Sequence, residues 1–179
     1  APLLAMLDAV NDKNTPIDQT IDAHFDRANL VTWFAANILA DNLDTNSQNF
    51  YLYLPPAGGK WRFLCWDYDG ALGWADQDGR ERIDARWTEG PGNWWGMPLL
   101  RRFLMVPANR EALRARVAAL RSTLFAPARI QSLIALYKPV VGPHVAKEPD
   151  KGPLERAVGG DVAAGWATQV AALPGAIDA

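Results

Sequence analysis

"DNLDTNSQNFYLYLPPAGGKWRFLCWDYDGALGW", residues 41–74, holds a strand–turn–strand pattern with oxygen-bearing side chains at both ends. "FYLYL" (50–54) and "KWRFLCW" (60–66) are rich in aromatic and aliphatic residues, and "PPAGG" (55–59) supplies turn chemistry, so the stretch predicts a β-hairpin. Asp41, Asp44, Asn46 and Asn49 precede the first strand, and Asp67 and Asp69 follow the second. A formed hairpin brings residue 49 close to residue 67 at its open end. Asp and Asn are poor strand formers, and carboxylates held together repel one another. The two clusters therefore read either as solvated loop chemistry or as a seat for a cation.

Helical patterns surround the hairpin. Residues 2–10 and "IDQTIDAHF" (17–25) read as short helices separated by "NDKNTP", with Pro16 able to open the second. Asp26 stands in N-cap position, and Phe25 before it can staple onto Leu30. Leu30, Val31, Phe34, Ile38 and Leu39 follow at helical spacing, which predicts a buried helix to about residue 41. Residues 74–96 are irregular and rich in charge, Gly and Trp. Three more helices follow, over 97–106, 107–124 and 127–142, and Pro107 and Pro127 open the last two. A break near 142–153 precedes a weaker helix around 160–173. The reading is mainly α with a small β-hairpin (α+β), residues 1–179 forming a single domain. "APLLAMLDAV" opens in mid-helix and "LPGAIDA" trails off, so the chain reads as part of a longer protein.

Bulk composition narrows the classes. With 49% hydrophobic and 21% charged residues, the 179-residue chain has the makings of an ordinary core. Its formal net charge of −2 and dispersed basic residues argue against nucleic acid as the main partner. No apolar run reaches membrane-span length. Cys65 is the single cysteine, which excludes an internal disulfide.

The polar clusters carry the chemistry. Asp44 and Asn49 form a D-x-x-x-x-N pattern, and Asp67 opens a D-x-D-G turn after a strand. Asp and Asn from one loop and Asp from the next offer hard oxygen ligands to Mg²⁺, which accepts few protein ligands and keeps water and phosphate oxygens. Protein kinases use this arrangement, although there the motifs commonly read H-R-D and D-F-G. Asp41 and Asn46 repeat the five-residue spacing, but Asp41 still lies on the helical pattern, which favours Asp44.

"LADNLDTNSQNFYLYLPPAGGKWRFLCWDYDGALGW", with "FDRANLVTWFAANIL" before it and "MPLLRRFLMVPANREALRARVAALRSTLFAPARIQSLI" after it, resembles the spore coat protein H (CotH) family of atypical kinases. The likeness covers roughly residues 22–140. It implies the C-terminal lobe of a kinase-like fold, with ATP as phosphate donor, Mg²⁺ or Mn²⁺, and transfer to Ser or Thr of partner coat or surface proteins. Carried over by position, Asp44 is the catalytic Asp, Asn49 a metal ligand and Asp67 the main metal Asp, with Asp69 as an additional ligand. Asn49 and Asp67 thereby also bind the nucleotide's phosphates through the metal. The family implies a secreted or surface setting. The first glycine is Gly58, and Lys13 is the only lysine before Lys60. A glycine-rich phosphate cover and a strand Lys–helix Glu pair are thus missing, and belong to an N-terminal lobe outside these residues. Without that lobe, transfer is expected to be weak.

Two rival readings remain. "CWDYDGAL" also resembles the D-x-D-G-T-L motif of haloacid-dehalogenase-type phosphatases, in which the first Asp is a nucleophile. That class needs a parallel α/β sheet that the downstream sequence does not predict, and Ala71 stands where Thr is usual. The other is a kinase-like binding module without turnover. Of the remaining residues, Trp61, Phe63 and Trp66 read as core, Cys65 as a buried small apolar side chain, and Trp94 and Trp95 as packing under a loop. His24 and His144 are too far apart to suggest zinc. Arg101, Arg102, Arg110, Arg114, Arg116 and Arg121 read as a solvated helical face.

Overall fold

A computed structural model describes residues 1–40, 42, 45, 49–68, 71, 96–145, 147 and 162–178. The described elements are mainly helical, with one two-stranded antiparallel sheet: α1 (Pro2–Asn11), α2 (Ile17–His24), α3 (Arg27–Leu39), β1 (Phe50–Tyr53), β2 (Arg62–Cys65), α4 (Pro98–Met105), α5 (Pro107–Arg121), α6 (Pro127–Val145) and α7 (Val162–Asp178). The chain divides into two compact units, Ala1–Ala119 and Leu120–Ala179.

In the first unit, α1, α2 and α4 pack together through Met6, Val10, Ile17, Ile21, Leu100 and Phe103, all buried. The Arg102 guanidinium ties α4 to the end of α1 and to the α1–α2 connection by donating to the carbonyls of Val10 and Thr15. Arg102 is therefore part of this packing and not of a solvated face; its long stem and fork reach carbonyls that the loop leaves over. Arg110 likewise donates to the Leu104 carbonyl at 2.7 Å. Arg27 links three elements, meeting Asp18 at 2.9 Å, Asp22 at 2.7 Å and the Asn109 amide oxygen at 3.1 Å.

α3 starts as its sequence requires, since the Asp26 carboxylate accepts the Asn29 N–H at 3.0 Å. The helix lies against β2. Phe63 is the hub of that contact: its ring stacks on Trp33 at 4.3 Å and meets Phe50 at 5.4 Å and Phe25 at 6.0 Å. The hairpin register runs Phe50↔Cys65, Tyr51↔Leu64, Leu52↔Phe63 and Tyr53↔Arg62. The outer edge of β2 is covered. Asp26 N–H donates to the Trp61 carbonyl and Trp61 N–H to the His24 carbonyl, while the Asn29 amide pairs with both backbone groups of Phe63, at 2.7 and 3.1 Å. A strand edge left open would be a template for another chain.

Period-two geometry corrects two core assignments. Residues 61, 63 and 65 share one face, and 62, 64 and 66 the other. Trp66 therefore lies opposite Phe63 and is exposed, packed edge-on to Tyr51 at 5.1 Å. Cys65 shares the face of Phe63 but stands at the hairpin's open end, and it is exposed, not buried.

In the second unit, α6 pairs with α7. The sequence predicts a break near residue 142, yet α6 runs to Val145 through Pro139 and Pro143. Each proline removes one helical hydrogen bond. Gly142 lets the Trp166 ring approach, and an added Cβ would stand 3.4 Å from it. α5 ends at Arg121, earlier than the apolar spacing suggests, because the backbone turns there with Phe125 N–H donating to the Leu120 carbonyl. Leu120 is buried, whereas Leu124, beyond the helix end, is exposed.

Candidate functional site

The open end of the hairpin is built from two directions. α3 ends at Leu39, and the chain returns as β1 from Phe50. Within that return Asn42 and Thr45 are fully buried, and Asn42 N–H donates to the Asn37 carbonyl at 3.0 Å. The Thr45 hydroxyl donates to the Asn49 carbonyl at 3.4 Å, a long bond that spans the loop. From the other side, β2 ends at Cys65 and is followed by Trp66, Asp67 and Tyr68.

Asn49 and Asp67 sit beyond the last strand pair, Phe50↔Cys65; extending the register pairs position 49 with 66 and leaves Asp67 one residue further on. Both occupy the left-handed region, with φ of 59° for Asn49 and 53° for Asp67. Asp and Asn tolerate this conformation because their short polar side chains can bond locally. No other non-glycine residue among those described has a positive φ. Asp67 is exposed and Asn49 half-buried.

Tyr68, half-buried, directly follows Asp67. Its hydroxyl donates to Cys65 Sγ at 3.1 Å, and its carbonyl accepts the N–H of buried Ala71 at 3.1 Å. Burial first, and then the Cys65 sulfur, push the phenol above its ordinary range, while the nearby Asn37 and Asn42 amides pull it the other way. Sequence reasoning passed over Asn37 and Asn42, which the fold buries completely. An Asn near a helix end or in a polar loop carries no pattern that announces burial.

The predicted pair Asn49 and Asp67 thus flanks one hairpin end. Asp44 and Asp69 lie outside the described residues, as do Asp41, Asn46, Trp94 and Trp95. Among the described residues no three His, Cys, Asp or Glu side chains cluster as metal ligands. The donor types at the hairpin end, a carboxylate and an amide oxygen, are those that a hard divalent cation accepts alongside water and phosphate.

The family model described as CotH kinase protein matches residues 1–173. The chain belongs to the CotH kinase family. No curated protein and no solved structure matches it. Membership suggests a kinase-like activity for this CotH chain. Asp67, the first residue of the D-x-D-G motif, follows an antiparallel hairpin in this CotH chain, and among the described residues there is no parallel sheet of the phosphatase type. No helix among the described residues is long and apolar enough to cross a membrane.

Proposed function

We propose that this CotH chain is the C-terminal lobe of an atypical protein kinase, carrying the γ-phosphate of ATP to Ser or Thr of a partner coat or surface protein. The observation that supports the reading most is the convergence of Asn49 and Asp67 at the open end of one hairpin, both in the left-handed conformation, in a chain of this family. In this reading Mg²⁺ or Mn²⁺ would neutralise charge on the phosphate oxygens. Asp67, with its exposed carboxylate, and Asn49, through its amide oxygen, would hold that ion, and Asp69 would add a further oxygen. Asp44 would orient the acceptor hydroxyl and take its proton. Catalysis of this kind is positioning plus charge stabilisation, with little covalent work for the protein. A second lobe, outside these 179 residues, would supply the phosphate cover.

The test is phosphate transfer from radiolabelled ATP by the full-length protein with Mn²⁺ or Mg²⁺, comparing wild type with Asp44→Ala, Asn49→Ala and Asp67→Ala. Each change is expected to lower incorporation by at least about 100-fold, the scale of losing a positioned electrostatic group. Equal incorporation by wild type and Asp67→Ala would sink the kinase reading. Metal–nucleotide binding without any transfer would instead identify a binding module of kinase-like descent.

A further inference from the structure

The return between α3 and β1 buries one side chain whose chemistry its packing does not require. Thr45 is fully enclosed, at 0% exposure. A valine has the same shape and would fill that space with no polar atom to satisfy, so the hydroxyl calls for a reason. Among the described residues that hydroxyl has one partner, the Asn49 carbonyl, to which it donates at 3.4 Å. The bond is long, but burial leaves it without competition from bulk water.

The acceptor end of that bond is a strained position. Asn49 holds a φ of 59° immediately before β1 begins at Phe50. A residue with a side chain keeps such a conformation only where its surroundings fix it. Holding the Asn49 carbonyl fixes the planar peptide between Asn49 and Phe50, and with it ψ of Asn49. With ψ set, the chain enters β1 in one direction and the Asn49 side chain leaves the hairpin end in one direction. Asp44 directly precedes Thr45 in the sequence. Thr45 is therefore next in sequence to one proposed functional residue and hydrogen-bonded to another.

We infer that Thr45 is a positioning residue, its hydroxyl a tie that sets the Asn49 backbone and so aims the Asn49 amide oxygen at the cation. The aim at a cation rests on the proposed function; the tie does not. The hairpin ladder offers a second readout. Asn29 takes both backbone groups of Phe63, so those groups turn away from β1. Bonding and non-bonding pairs alternate in an antiparallel ladder, which leaves Tyr51 with Leu64 as the hydrogen-bonded pair of β1 nearest Asn49. Loosening Asn49 therefore speeds exchange of the Tyr51 amide proton.

The experiment uses the full-length protein as wild type, Thr45→Val, Thr45→Ser and Asn49→Ala, each read well below its own thermal midpoint. Mn²⁺ affinity is measured by electron paramagnetic resonance, and Tyr51 amide exchange by nuclear magnetic resonance. Thr45→Val keeps the shape and loses the hydroxyl. It is expected to weaken Mn²⁺ about tenfold, as loss of a supporting partner of a metal ligand does, and to speed Tyr51 exchange. Thr45→Ser loses a methyl and keeps the hydroxyl, and is expected to restore most of the affinity and the slow exchange. A side chain that only fills space gives the opposite order, with Thr45→Ser the worse variant and Thr45→Val harmless. Where Asn49→Ala weakens Mn²⁺, affinity decides: Thr45→Val weak and Thr45→Ser stronger supports the tie, and any other order overturns it. If Asn49→Ala binds Mn²⁺ like wild type, the metal role of Asn49 fails instead. Tyr51 exchange then decides the tie alone: fast in Thr45→Val and slow in Thr45→Ser supports it, and any other pattern overturns it. Should Thr45→Val not fold, Thr45→Ala takes its place, since it differs from Thr45→Ser by the hydroxyl alone.

Discussion

Asn49 and Asp67 hold φ of 59° and 53°, a state that disfavours most side chains and leaves glycine unstrained. Backbone need and ligand chemistry coincide at these positions, and two substitutions separate them. Asp67→Gly keeps the conformation and removes the carboxylate, whereas Asp67→Ala removes both advantages. Urea denaturation is expected to find Asp67→Ala about 1–2 kcal/mol less stable than Asp67→Gly, while Mn²⁺ titration finds both equally weak. A titrating residue supplies a second expectation. The Arg27 guanidinium, hydrogen-bonded to Asp22, holds its carboxyl below the ordinary value of 3.8. A depressed folded value means stability that is present above the unfolded value and lost as pH falls through the folded one. Denaturation midpoints should therefore drop on acidification below about pH 4, and Asp22→Asn should drop less over that interval. The Asp44, Asn49, Asp67 and Asp69 candidates were legible in sequence because motif spacing is one-dimensional. The burial of Asn42 and Thr45 was not, because burial depends on which parts of the chain come together in space.

At the scale of elements, the hairpin depends on what covers it. Two strands alone are marginal in water and need a packed face. Here α3 provides that face through Trp33 and seals the strand edge through Asn29, whose amide satisfies both backbone groups of Phe63. Asn29→Ala leaves that N–H and C=O without their partner and is expected to cost about 1–3 kcal/mol, read as a shift in urea midpoint. Asn29→Asp keeps an acceptor for the N–H but sets a carboxylate against the carbonyl, so it should rescue little. Helix and hairpin were both readable from periodicity, N-cap and turn residues. Their docking was not. An Asn at the third position of a helix looks like any polar surface residue until β2 lies beside it.

At the scale of the molecule, a ligand that binds the folded chain at the hairpin end must stabilise it by mass action. Manganese with ATP at about 100 times its dissociation constant should add about 2.7 kcal/mol to full-length protein, seen as a raised thermal midpoint in wild type and no rise in Asp67→Gly. The primary sequence by itself determined the family, the mainly helical class with its single hairpin, and the nearness of Asn49 and Asp67 at the hairpin's open end, because local propensity and motif spacing are properties of neighbours along the chain. Only tertiary structure decided that Trp66 and Cys65 are exposed, that Arg102 ties a helix to a loop, that α6 continues past two prolines, and that Asn42 and Thr45 are buried. Those outcomes depend on which surfaces come together in space, where burial and hydrogen-bond satisfaction outweigh local preference.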